Sequence, residues 1–172
     1  VYCLVHPYNK INSKILTNKN LSGVILSGGP NSVKDLKSPK LSKKILSLKI
    51  PILGICYGLQ LLCKEFKGEI GQSSSREYGH SLINHNNKSL LFKGIKKTSQ
   101  VWMSHGDHIE KEPKEFVVTS FSNKVISSIE NKKKMIFGLQ FHPEVYHSVF
   151  GKKILSNFLV KICKISAKFK LD

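Results

Sequence analysis

The sequence predicts an α/β fold: a mostly parallel sheet flanked by helices, with an additional smaller antiparallel sheet. Two observations carry this. Up to about residue 66, short apolar runs alternate with helix-like stretches across short connections, the signature of parallel strands with helices on their faces. From about Ser81 the texture changes to short apolar runs separated by polar turns, which suits hairpins and meanders.

Taken in order, Tyr2–Val5 reads as a short strand. "SGVILSGGP" (Ser22–Pro30) reads as a buried strand running into a glycine turn. Leu41–Leu48 carries Leu41, Ile45, Leu46 and Leu48 at amphipathic helical spacing. Ile50–Ile55 is a second buried strand, and Tyr57–Phe66 a helix that stops before Gly68. Ser81–His85, Ser89–Phe92, Gln100–Ser104, Phe116–Ser120, Val125–Ile129 and Met135–Gln140 follow as short strands. Ser148–Cys163 closes the fold as a helix with a broad apolar stripe. The sequence holds no internal repeat and no linker, so residues 1–165 are expected to form one domain, with a lysine-rich tail over 166–172.

The 172 residues carry a formal charge of +17. Such a balance raises the question of nucleic acid. Of the 28 basic residues only Arg76 is an arginine, the side chain suited to bidentate base and phosphate contacts. The lysines spread along the whole chain, with one triple at 132–134. They read as a solvated surface, so no specific nucleic-acid site is expected, only weak attraction to polyanions. No run of about 18 apolar residues suggests a membrane span. The start resembles no secretion signal, so a cytoplasmic setting with free thiols is expected. The cysteines, Cys3, Cys56, Cys63 and Cys163, form no close pair of the kind that binds zinc, and no metal is expected.

Three stretches could carry chemistry. In Gly54-Ile55-Cys56-Tyr57-Gly58, a cysteine stands between a strand end and a helix start. Flanking glycines free such a turn of Cβ clashes, the pattern of a nucleophile elbow with Cys for Ser. A helix N-terminus favours thiolate. Taken alone, Cys56 fits a buried structural thiol equally well. Cys3, Cys63 and Cys163 lack these flanks and read as core. In Phe141-His142-Pro143-Glu144, a histidine and a carboxylate two residues apart share one side of an extended segment. Taken alone, they read more readily as a surface His and Glu flanking a turn proline. The other histidines lack this arrangement. In Ser27-Gly28-Gly29-Pro30-Asn31-Ser32, a glycine pair after a buried strand leaves backbone N–H groups free to meet an anion. Together the three stretches supply nucleophile, base, orienter and oxyanion donors for acyl transfer through a thioester.

These residues resemble a known family. "ILGICYGLQLL", "LSGGPNSV" and "FGLQFHPEV" look like the signatures of class I glutamine amidotransferases of the Cys-His-Glu type. "REYGH" and "WMSHGDHI" narrow the likeness to the glutaminase domain or subunit of GMP synthases. The resemblance implies a flavodoxin-like sheet and a catalytic triad of Cys56, His142 and Glu144. It places the oxyanion hole at the backbone N–H groups of Gly29 and Tyr57. It implies contacts to L-glutamine from Gln60 and from Arg76, Glu77, Tyr78 and Gly79. His105 and Asp107 match a motif near the substrate pocket and the synthetase-facing side.

The resemblance implies no cofactor for the glutaminase part. It implies as partner a GMP synthetase ATP-pyrophosphatase domain or subunit, which would use Mg-ATP to convert XMP to GMP. Against the family pattern, the chain opens at what looks like the second strand, so the first strand and helix are expected to be missing. The alternatives are an amidotransferase of another pathway, a γ-glutamyl peptidase of the same class, or an inactive basic binding module.

Overall fold

The computed structural model describes residues 1–86 and 88–166, apart from the side chains of residues 73–76. Its strands are β1 (Val24–Leu26), β2 (Ile52–Ile55), β3 (Glu69–His85), β4 (Thr98–Lys111), β5 (Val117–Ser122), β6 (Val125–Asn131) and β7 (Ile136–Leu139). The helices are α1 (Ser13–Leu16), α2 (Lys43–Ser47), α3 (Tyr57–Glu65) and α4 (Gly151–Ser156). The expected α/β architecture is present, as one seven-stranded sheet in the order β1-β2-β7-β6-β4-β3-β5. The antiparallel strands do not form a second sheet. They join the parallel trio β1-β2-β7 through β6, which pairs antiparallel with β7. β5 also pairs with β6, so β3, β4, β6 and β5 form a closed circuit of pairings.

All four residues of β2 and all four of β7 are buried. A strand covered on both faces reads as a continuous apolar run, which is why these two are plain in the sequence. Their alternate side chains feed two cores. Leu53, Ile55, Phe137 and Leu139 pack with Ile154 and Phe158 from the end of the chain. Ile52 and Ile136 pack with Leu59 and Leu62 of α3.

Several local expectations are corrected. Tyr2–Val5 is not a strand: no neighbouring strand pairs with it, and Tyr2 and Val5 are exposed. Ser89–Phe92 is a turn. The Ser89 hydroxyl donates to the buried Glu130 carboxylate at 2.6 Å and accepts from the Leu91 N–H, while Leu91 and Phe92 plug the core. The last helix begins at Gly151 and widens into a π-helical turn over Asn157–Ile162. There the buried Asn157 amide donates to the carbonyls of Leu91 and Lys93. Cys3 is exposed, not core, whereas Cys63 and Cys163 are buried as expected. Burial pushes the Cys63 thiol up to about 12 and Cys163 up to about 11, which makes both poor nucleophiles. The segment from residue 167 onward, most of the expected tail, lies outside the described residues. Among the described residues no helix is long and apolar enough to cross a membrane.

Leu59 is fully buried and sits hard against β7: a Cβ added at Gly138 would lie 2.1 Å from its Cδ1. Leu59→Ala should therefore cost about 2–5 kcal/mol of stability through lost burial and a cavity. Urea unfolding followed by circular dichroism measures this. A loss under about 1 kcal/mol would show that α3 is not braced against β7 in this way.

Candidate active site

β1, β2 and β7 run parallel, and their C-terminal ends bring three loops to one level. The loop after β1 carries Gly28 and Gly29. The turn after β2 carries Cys56. The segment after β7 carries Gln140, His142 and Glu144. The Cys56 N–H donates to the Leu139 carbonyl at 2.7 Å, so the cysteine is pinned to the neighbouring strand as it leaves its own.

Cys56 has φ 50° and ψ −106° and stands as N-cap of α3. A side chain at positive φ is strained and persists only where its surroundings enforce it. Two glycines do so. A Cβ on Gly58 would lie 2.2 Å from the Leu26 carbonyl oxygen, and one on Gly54 would lie 2.6 Å from the Gly58 backbone. Strand, turn and helix thus pack backbone to backbone, and the sharp turn is the one path left. It turns the Cys56 side chain toward His142.

The Nδ1 of His142 lies 2.7 Å from Oε1 of Glu144. With the proton on Nδ1, the ring donates to the carboxylate and presents its other nitrogen to Cys56. His142 is raised to about 10, first by its hydrogen bond with Cys56 and then by that with Glu144, which together outweigh burial. Burial pushes the Glu144 carboxyl up, but the His142 hydrogen bond and charge prevail and hold it below its ordinary value. Near pH 7 the His142 ring therefore keeps its proton beside the Cys56 sulfur. The His142 segment is also held from behind. Its N–H donates to the Trp102 carbonyl, and the Ser148 hydroxyl accepts from the Trp102 N–H and donates to the His142 carbonyl.

The remaining expected residues fall into distinct groups. Gly28 lies against both Cys56 and His142, since a Cβ there would meet Cε1 of His142 at 3.0 Å and Cβ of Cys56 at 3.6 Å. Gly29 packs on the Tyr57 ring, whose hydroxyl donates to the Pro39 carbonyl at 2.6 Å. Gln60 is buried and donates its amide to the Asp107 carbonyl at 2.9 Å. The Asp107 carboxylate accepts from the Ser32 hydroxyl, which ties the glycine loop to β4.

His105 is buried beside Glu77, with Nε2 of the ring 3.2 Å from Oε2 of the carboxylate. The two are not aligned as a hydrogen bond, and among the described residues neither of these atoms has a hydrogen-bond partner. Burial lowers His105 to about 4, so the ring is neutral near pH 7. Tyr78 is exposed, and Gly79 adopts φ 105°. The Arg76 side chain lies outside the described residues. Among the described residues no group of three His, Cys, Asp or Glu gathers that could hold a metal ion.

Two contacts to the sulfur were not anticipated: the Ser104 carbonyl at 3.6 Å and the Gln140 amide nitrogen at 3.8 Å. The signal for Gln140 lay in the two-residue period that pairs His142 with Glu144, since the same period reaches back to Gln140. A main-chain contact such as Ser104 leaves no trace in residue identity.

This geometry sets a strained elbow cysteine beside a His–Glu pair, and the comparisons specify the family. Residues 1–162 match the family Glutamine amidotransferase class-I, and the chain belongs to that family. The GMP synthase [glutamine-hydrolyzing] of Borrelia garinii subsp. bavariensis is 47% identical to it over all of this chain and 33% of its own length. That of Clostridium botulinum (strain Hall) is 42% identical over all of this chain and 34% of its own length. The chain thus spans about a third of the length of the curated relatives it matches. Among solved structures, a Thermoplasma acidophilum protein assigned as one subunit of a GMP synthase superposes with a TM-score of 0.73. It is 29% identical, over 91% of this chain and 78% of its own. A glutamine amidotransferase from Thermotoga maritima gives a TM-score of 0.64 at 25% identity, over 84% of this chain and 66% of its own.

The raised His142 has a consequence for stability. A group that binds its proton more tightly in the folded chain stabilises it fully below the unfolded value and loses that contribution as pH rises through the folded value. The stability margin of the wild type over His142→Gln should be full below pH 6.5 and shrink progressively up to about 10. Urea titrations at a series of pH values read that margin. A margin that stays level across the window would mean that Cys56 and Glu144 do not hold the imidazolium.

Proposed function

We propose that this chain is the glutamine-hydrolysing part of a GMP synthase, with Cys56 as nucleophile, His142 as base and acid, and Glu144 as orienter. The observation that carries the reading is the His142–Glu144 hydrogen bond at 2.7 Å beside a strained elbow cysteine. The names of the relatives that align over the whole chain support the choice of pathway.

In this mechanism the Cys56 thiolate attacks the side-chain carboxamide carbon of L-glutamine. The oxyanion that forms is received by the backbone N–H groups of Gly29 and Tyr57. His142 gives its proton to the departing nitrogen, ammonia leaves, and a γ-glutamyl thioester remains. His142 then takes a proton from water, whose oxygen attacks the thioester carbon. Glutamate departs as the thioester bond breaks, and the thiolate and the protonated imidazole are restored. Glu144 fixes the ring so that one nitrogen always faces the sulfur. Gln60, the segment Arg76–Gly79, His105 and Asp107 border this chemistry and shape the glutamine site. No cofactor takes part in this half. The ammonia passes to a synthetase domain or subunit that uses Mg-ATP to convert XMP to GMP. The setting is cytoplasmic, where the thiols stay reduced.

Cys56→Ala should reduce glutamine hydrolysis by roughly 10³-fold or more. Ammonia-supported GMP formation by the intact enzyme should persist. Coupled assays with glutamine and with ammonium salts separate the two. Glutamine turnover that survives the substitution would sink the proposal.

A further inference from the structure

Among the described residues the sulfur of Cys56 has three polar neighbours, and they differ in what they ask of it. His142 exchanges a proton with it. The Ser104 carbonyl, 3.6 Å away, can only accept, so it favours the thiol and repels the thiolate. The Gln140 side-chain amide lies 3.8 Å away through its nitrogen, a group with two protons to donate. Gln140 is fully buried, and among the described residues its amide oxygen has no hydrogen-bond partner. Its main chain is pinned, with its N–H donating to the Ser127 carbonyl at 2.9 Å. A buried amide left half-satisfied is costly. This one is held with its donor end on the reacting atom.

We propose that the Gln140 amide is a further catalytic group, which donates an N–H to the Cys56 sulfur and so holds the thiolate against the Ser104 carbonyl. The inference rests on Cys56 being the nucleophile. As the thiol proton moves to His142, the contact with Ser104 turns from hydrogen bond to repulsion. The contact with Gln140 then becomes charge-assisted. The two neighbours therefore act in opposite directions on the same equilibrium. The amide's orientation decides the sign: an amide turned to present its oxygen would instead favour the thiol.

The test is the pH dependence of iodoacetamide alkylation at Cys56 in the intact protein, read peptide by peptide by mass spectrometry. The exposed Cys3 serves as internal reference. In Gln140→Met, which keeps the shape and removes the donor, the midpoint at Cys56 should rise by about one pH unit. The rate at pH 7 should fall about tenfold, with Cys3 unchanged. Gln140→Glu should raise the midpoint further. A variant profile that overlays the wild type, or a midpoint that falls, overturns the inference while leaving the nucleophile in place. A wild-type Cys56 no more reactive than Cys3 overturns both. Should the variants not fold, the wild type still decides through the side-chain amide resonances of Gln140 in nitrogen-15 spectra. They should shift with the Cys56 transition, and resonances that stay fixed across it overturn the inference.

Discussion

The parallel pairing of Ile52–Ile55 with Ile136–Leu139 sets the level at which everything else at the site assembles. Both strands end together, and the first residue past β2 still donates its N–H to the last carbonyl of β7. Cys56 therefore cannot drift relative to the segment that carries Gln140, His142 and Glu144. A slip of one residue in this register would turn the side chains of one strand to the opposite face. The apolar contents of the two cores, Leu53 with Phe137 on one side and Ile52 with Ile136 on the other, oppose such a slip. Hydrophobic burial, a force without direction, thus places Cys56 and His142 with atomic consequence.

On this frame the electrostatics are local and sparse. A formal charge of +17 surrounds the site, yet the groups that shift His142 are its immediate neighbours Cys56 and Glu144. The distributed lysines act through a screened field that decays over about 10 Å. Buried polar contacts do the rest of the positioning. The Ser32–Asp107–Gln60 chain joins the glycine loop, β4 and α3, and Ser148 clasps the His142 carbonyl to β4. The neutral, buried His105 beside Glu77 and the Gln140 amide oxygen are the poorly satisfied parts of this shell.

Much of this was legible in the sequence where one residue type can satisfy one constraint. Gly54 and Gly58 announce the elbow because no side chain fits between helix and strand, and β2 and β7 announce themselves by unbroken apolar runs. β4 was legible only in part. Its burial alternates strictly over much of its length, but His105 and Asp107 occupy inward positions, and polar letters there hide the period. Tyr2–Val5 misled for the opposite reason: apolar letters promise a strand only where a partner strand waits. The links that depend on distant chain segments, such as Asn157 to Leu91 or Ser104 to Cys56, have no local signature at all.

The backbone at Cys56 also bears on how such a chain would age under mutation. A cysteine at φ 50° carries strain of about 1–3 kcal/mol that glycine would relieve. The neighbouring glycines have no such freedom, since any side chain there collides with backbone. Glycine in place of Cys56 would relieve backbone strain, whereas a side chain on the glycines around it would add strain. A lineage released from the need for the chemistry would shed the thiol first and keep the fold. Under the proposed function, a cysteine kept at this position is stability forgone for reactivity.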